Sequence, residues 1–278
     1  MSGNTERDRR SQGEFNNNGK TALVTGSATG IGANIAVDLA TAGYQVIVTG
    51  RNYRSLSAVV GRCNKVSGAR HCARLFVADL FDIRQVDELI DFVAKQFDRL
   101  DILVNNACCR ADDKGILAPG SFDDMKHVMW INVSVPLYLI HKCLVPLRSS
   151  NLSSKSIVIN ISSIASQVVV PLHLYSISKA CLSEMSRTIA EEAKELNFLS
   201  IAISPGPVLT DERPHHIKMS NMTLMNRVGS TQEVSNFVMF VIENAHLFNG
   251  RELSIDGGYL AKQKQPTVRD ETITELQP

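Results

Sequence analysis

The sequence predicts a single-domain α/β fold, a doubly wound parallel sheet of seven strands with helices on both faces. Three observations carry this prediction. Short β-branched runs alternate with longer amphipathic ones, no linker interrupts the alternation, and the first run ends in a glycine-rich turn that enters a helix. At 278 residues the chain is within the reach of one α/β domain. Apolar residues make up 44% and charged ones 21%, enough to bury a sizeable core.

The strands follow in order as TALVT from Thr21, QVIVT from Gln45, ARLFVA from Ala73, DILV from Asp101, SIVINI from Ser156, SIAI from Ser200 and ELSI from Glu252. Each is short and nearly continuous in apolar character, as strands covered on both faces are. Between them IGANIAVDLATAG, RQVDELIDFVAKQF and CLSEMSRTIAEEAKEL carry apolar residues at helical spacing and supply crossovers. The domain runs from 19 to 260. Residues 1–18, polar and asparagine-rich, read as a disordered tail, and 261–278 as a second tail. In such sheets ligands bind beyond the carboxyl ends of the strands, so chemistry is expected in the loops that follow each run.

Several function classes are disfavoured. A formal net charge of +1 makes no basic field for nucleic acid or an acidic membrane, and Trp130 and the other aromatics form no stacking array. No apolar run is long enough to span a bilayer. The opening MSGNTERDRRSQGEF lacks the apolar core of a secretion signal, its acidic residues disfavour a mitochondrial presequence, and ELQP is not the SKL peroxisomal address. Cys63, Cys72, Cys108, Cys109, Cys143 and Cys181 show neither CxxC nor metal-ligand spacing. Reduced thiols in a cytoplasmic protein are the expectation.

The first strand ends in Thr25-Gly26-Ser27-Ala28-Thr29-Gly30-Ile31-Gly32. Glycines let backbone turn tightly and approach a pyrophosphate without a Cβ in the way. The helix start then offers free N–H groups and the positive dipole end to phosphates. The spacing is G-x-x-x-G-x-G rather than the commoner G-x-G-x-x-G. After the second strand stands Gly50-Arg51-Asn52, with no carboxylate. A carboxylate there would hold a ribose 2′-hydroxyl, whereas an arginine pairs with a 2′-phosphate, so NADP(H) is favoured over NAD(H).

Tyr175-Ser176-Ile177-Ser178-Lys179 opens a further helix. A tyrosine and a lysine four apart share a helix face, one turn from each other. A free phenol titrates near pH 10, roughly; a nearby ammonium and an oxidised nicotinamide favour the phenolate and bring it toward the working range. Twelve positions earlier Ser163 follows SIVINI, where its hydroxyl can orient a substrate oxygen. A lone Y-x-x-x-K pair occurs by chance on many helices. Its weight here comes from the serine and the phosphate turn on the same sheet.

With these residues in order, the chain resembles the short-chain dehydrogenase/reductase family, in its short single-domain branch with a Rossmann-like fold. The resemblance runs from about Lys20 to Leu260. It includes T-G-x-x-x-G-I-G, Asp79-Leu80, Asn105-Asn106-Ala107, Asn132, Ser163, Tyr175, Lys179, Pro205-Gly206-Pro207-Val208-Leu209-Thr210 and Asp256-Gly257-Gly258. The resemblance implies NADP(H)-dependent hydride transfer between nicotinamide and a carbonyl or secondary alcohol. Tyr175 would be general acid and base, Lys179 would grip the nicotinamide ribose and lower the tyrosine's pKa, and Ser163 would hold the substrate oxygen. Asn132 would support a water linking Lys179 to solvent. Gly26, Ser27, Thr29, Gly30, Ile31, Gly32, Arg51, Asn52, Asp79, Leu80, Asn105, Asn106, Ala107, Pro205, Gly206, Val208 and Thr210 would bind the cofactor with Tyr175 and Lys179. A homodimer or homotetramer acting on a small-molecule carbonyl is implied by the same analogy.

Departures from the family pattern set the alternatives. Cys108 stands where glycine usually follows N-N-A, and Ser166 where glycine is common. Ser163 to Tyr175 is one residue shorter than the family's commonest spacing, which keeps Ser162 as the alternative active serine. Cys108 motivates a second reading: a cofactor-binding sensor or scaffold of the same fold with weak or lost catalysis. An enoyl reductase is disfavoured because that branch places its lysine further from the tyrosine, and an epimerase because those chains are longer. The substrate lid is expected at 211–226, with His215 and His216 solvated and Met219, Met222 and Met225 read as core; His173 is a candidate for substrate contact.

Overall fold

A computed structural model describes residues 19–68, 71–110, 116, 121–148, 155–210 and 214–263. The tail expected at 1–18 lies outside them, as do residues 264–278 of the tail expected from 261; residues 261–263 belong instead to a short terminal helix. Seven strands form one sheet: β1 (Thr21–Thr25), β2 (Gln45–Gly50), β3 (Ala73–Val77), β4 (Ile102–Asn105), β5 (Ser156–Ile161), β6 (Phe198–Pro205) and β7 (Glu252–Ile255). All pairings are parallel and the spatial order is β3-β2-β1-β4-β5-β6-β7. The chain winds outward from β1 to β3, then returns to place β4 on the other side of β1. This reversal opens a crevice at the carboxyl ends of β1 and β4.

The helices are α1 (Gly30–Thr41), α2 (Tyr53–Ser67), α3 (Ile83–Gln96), α4 (Ser121–Met129), α5 (Val135–Lys142), α6 (Leu144–Arg148), α7 (His173–Glu192), α8 (Thr231–Glu243) and α9 (Tyr259–Gln263). Strand alternation splits the core in two. Ala22, Val24, Ile102, Val104, Ile159 and Ile201 pack with α1, α2 and α8. Leu23, Ile47, Phe76, Leu103 and Val158 pack with α3, α5 and α7. Around Asn132, α4 and α5 are joined through one π turn, Trp130–Ser134, a local underwinding frequent at functional sites.

α7 lies on β5 and β6 across small polar side chains instead of a thick apolar layer. Asn160 Nδ2 donates to Ser186 Oγ at 3.2 Å, and Ser186 and Ser200 hydroxyls are 3.0 Å apart. All three are buried, so each depends on these partners. Small residues allow close approach and carry the first turns of α7 to the carboxyl end of β5.

Candidate active site

A cleft of about 820 Å³ opens at the carboxyl ends of the central strands. Its floor is the glycine turn after β1. Gly26 and Gly30 have φ of 61° and 60°, in the left-handed region that glycine enters without penalty. A Cβ on Gly26 would stand 2.7 Å from Ala107 Cα, and one on Gly32 2.4 Å from Asn106 Nδ2. The turn and the loop after β4 therefore interlock. Asn106 Nδ2 donates to the carbonyls of Thr25 and Gly26 at 3.0 Å each, while Thr25 Oγ1 accepts from the backbone N–H of Asn106 and Ala107. Gly26, Thr29, Gly30 and Ile31 line the cleft. Ser27 instead is buried, donating to Val24 O at 2.8 Å and accepting from Thr49 N–H at 3.0 Å.

Arg51, exposed, lines the cleft after β2, and Asp79 and Leu80 after β3. The neighbouring Asn52 turns away: its Oδ1 accepts from Ser55 N–H at 3.0 Å and caps α2. Asn105 is likewise inside the sheet, donating to Asn160 Oδ1 at 2.8 Å.

Tyr175 and Lys179 face the cleft from the first turns of α7. Lys179 Nζ is 5.5 Å from the Tyr175 ring centroid and donates to Ile161 O at 2.7 Å. The two adjacent serines both reach the cleft wall but differ in burial and partners. Ser162 is buried, donating to Lys179 O at 3.0 Å and accepting from Ser183 Oγ at 2.7 Å. Ser163 is half-buried, and its Oγ accepts from Ala165 N–H at 3.2 Å, leaving the hydroxyl proton for a ligand. Asn132 is fully buried and does not line the cleft. Its side chain clamps the Cys109 backbone through both N–H and carbonyl (2.7 and 2.9 Å) and donates to Ser178 Oγ at 2.9 Å. Pro205, Gly206, Val208 and Thr210 close the far wall, and Thr210 Oγ1 is buried with no hydrogen-bond partner among the described residues.

A family model described as Enoyl-(Acyl carrier protein) reductase matches residues 26–260. The chain is a short-chain dehydrogenase/reductase. It is 29% identical to the 7alpha-hydroxysteroid dehydrogenase of Escherichia coli (strain K12), covering 86% of this chain and 94% of that one. It is 30% identical to the D-threitol dehydrogenase of Mycolicibacterium smegmatis, covering 90% and 96%. Among solved structures, a short-chain dehydrogenase from Burkholderia cenocepacia J2315 in complex with NADP is 29% identical, with a TM-score of 0.78 over 87% of this chain and 98% of that one. These relatives are oxidoreductases, and the fold they share is the one the sequence predicts.

Where this dehydrogenase/reductase departs from the family pattern, the structure compensates locally. Cys108 is exposed at the cleft mouth, and its backbone is outside the left-handed region, so a side chain is carried there without strain. Burial, then the neighbouring Cys108, pushes the Cys109 thiol up. The one hydroxyl proton of Ser166 is shared between Ser163 O, 2.6 Å away, and the carboxylate of Glu252, which also accepts from Ser204 Oγ at 2.6 Å. A polar tie to β7 thus holds the loop that a glycine would leave free.

The lid expectation needs one correction. Met222 and Met225 are exposed and Met219 is half-buried; none is core, because Pro214–Met222 is a 3₁₀ segment without the 3.6 period that would turn them to one face. Residues 211–213 lie outside the described residues, and so do the side chains of His215 and His216. His173 begins α7 and does not line the cleft. Sequence reasoning passed over Arg110, Asp124 and His127, which do line it. Arg110 had one available signal, its place in the loop beyond β4.

Proposed function

We propose that this chain transfers hydride between NADP(H) and a carbonyl or secondary alcohol. One observation carries the reading: Tyr175, Lys179 and Ser163 converge on the same cleft as the glycine turn. The fit of a dinucleotide is supported by that turn, where added Cβ atoms would collide, and by the buried, unpartnered Thr210 Oγ1, suited to a carboxamide. The B. cenocepacia relative in complex with NADP and Arg51 at the end of β2 support the phosphorylated cofactor.

When bound, the nicotinamide supplies or accepts the hydride. Tyr175 passes a proton to or from the substrate oxygen, and Ser163 donates a hydrogen bond to that oxygen. The ammonium of Lys179 favours the phenolate of Tyr175. Asn132 acts by position, tying the Cys109 backbone to the Ser178 hydroxyl of α7 so that the loop beyond β4 is held. The four-residue interval between Tyr175 and Lys179 supports carbonyl over enoyl reduction. Exposed Leu137 and Val145, and Phe240 and Leu247 on the β7 side, support a homo-oligomer.

The test is titration with NADPH and NADH, followed by a panel of ketones, quinones and acyl thioesters read by loss of NADPH absorbance. Turnover of at least one ketone is expected. Tight NADPH binding without turnover across the panel would replace this reading with the sensor or scaffold.

A further inference from the structure

The guanidinium of Arg110 lies over the face of the Tyr175 ring, its central carbon 4.3 Å from the ring centroid. This is cation–π distance, and it sets a fixed positive charge beside the proposed proton donor. The residue is half-buried in the cleft wall, and its Nε is buried with no hydrogen-bond acceptor among the described residues. A buried guanidinium N–H without an acceptor costs free energy, which a ligand oxygen would recover. Among the described residues no carboxylate lies within ion-pair distance of it, although Asp124 and His127 line the same cleft from α4.

The other cations of the cleft have assignments. Arg51 is the proposed partner of a 2′-phosphate, and Lys179 is bound to Ile161 O. Arg110 lines the same cleft over the Tyr175 ring and has none. Its planar fork matches a carboxylate in two-point contact. From these observations we infer that the preferred substrate is an oxo-carboxylate, with the carboxylate one or two carbons from the reacting carbonyl and held by Arg110. The inference rests on the carbonyl-reducing reading above. In the reaction the carbonyl carbon gains a hydride from NADPH and its oxygen gains a proton from Tyr175. The products are a hydroxy-carboxylate and NADP⁺, and the carboxylate itself makes and breaks no bond.

The test compares 2- and 3-oxo acids with their methyl esters, in the wild-type protein and in Arg110→Ala and Arg110→Lys. The wild type is expected to prefer acid to ester in kcat/KM, and Arg110→Ala to lower that ratio by about 10- to 100-fold, mainly through KM. Arg110→Lys should recover part of it. A readout independent of turnover is the rise in thermal midpoint that an unreactive dicarboxylate gives the NADP⁺ complex, expected in the wild type and lost in Arg110→Ala. Equal loss on acid and ester would make Arg110 a support for Tyr175 only. A weakened NADPH affinity with an unchanged ratio would assign it to the cofactor. Either result, or a wild type that reduces esters as well as acids, overturns the inference and leaves the carbonyl-reducing reading standing. Absence of turnover on every carbonyl overturns both.

Discussion

The ammonium of Lys179 stands 5.5 Å from the centre of the Tyr175 ring while donating to the carbonyl of Ile161 at 2.7 Å. That carbonyl is the last of β5, so the strand end fixes the place of the cation beside the tyrosine. Tyr175→Phe keeps the ring and removes only the hydroxyl. We expect kcat to fall by about 10²- to 10⁴-fold, with NADPH affinity by fluorescence titration nearly unchanged. Retention of full turnover would remove the phenol from the mechanism.

Ser162 and Ser163 divide structure from chemistry in adjacent positions. Ser163→Ala removes a donor to the substrate oxygen and should lower kcat by about 10²- to 10³-fold with little change in the melting midpoint. Ser162→Ala strips the buried Ser183 hydroxyl and Lys179 carbonyl of a partner. It should cost about 1–3 kcal/mol of stability, read by urea unfolding, while activity per folded molecule persists. The reverse pattern would make Ser162 the active serine.

Arg51 is exposed at the cleft, with no carboxylate at the end of β2. Arg51→Asp should shift the ratio of kcat/KM for NADPH over NADH toward NADH by about 10- to 100-fold. In the wild type, added salt should weaken NADPH more than NADH, since the contact is screened. An unchanged ratio in the variant would mean that another group reads the ribose.

Sheet and glycine turn were legible because their signals are local. β5 is six buried residues in a row, and a glycine with positive φ declares itself in its own sequence. What was not legible depends on distant partners. Ser162 and Ser163 look alike until α7 arrives, 21 residues on at Ser183, and takes the first. Asn52 and Asn105 sit in cofactor-binding order, yet one caps α2 and the other bonds Asn160 across 55 residues. Ser166 reads as a lost glycine until Glu252, 86 residues later, accepts its proton. Arg110 follows a family motif without belonging to it, and only its stacking on Tyr175 marks it.

The cysteines should sort by environment. Burial pushes the Cys63 and Cys143 thiols up to about 12, so at pH 8 almost none of either is thiolate and neither is reachable. Cys108 is exposed at the cleft mouth. A thiol reagent should label Cys108 first, with Cys63 and Cys143 reacting only on unfolding, as mass spectrometry of the labelled peptides would show. Saturating NADPH should slow Cys108 labelling. Labelling unaffected by NADPH would place the cofactor away from this loop.

Glu233 links pH to the wall that carries Thr210. It closes the capping box of α8, with its side chain accepting from Ser230 N–H at 2.8 Å and from Arg227 at 2.6 Å. Gly229 and Ser230 pair with Val208 and Leu209, just before Thr210. The Arg227 guanidinium, with the Ser230 N–H, holds the Glu233 carboxyl down to about 2 from 4.5. Because the folded value is the lower one, the stabilisation is complete above the unfolded value and disappears as pH falls from about 4.5 toward 2. The pair is half exposed, so solvent screening keeps the effect below about 1 kcal/mol. Glu233→Gln should therefore be less stable than the wild type at pH 7 and approach it near pH 3, as thermal midpoints at the two pH values would show. A difference that stays constant across that range would mean that the carboxyl's charge contributes nothing and only the cap's shape matters.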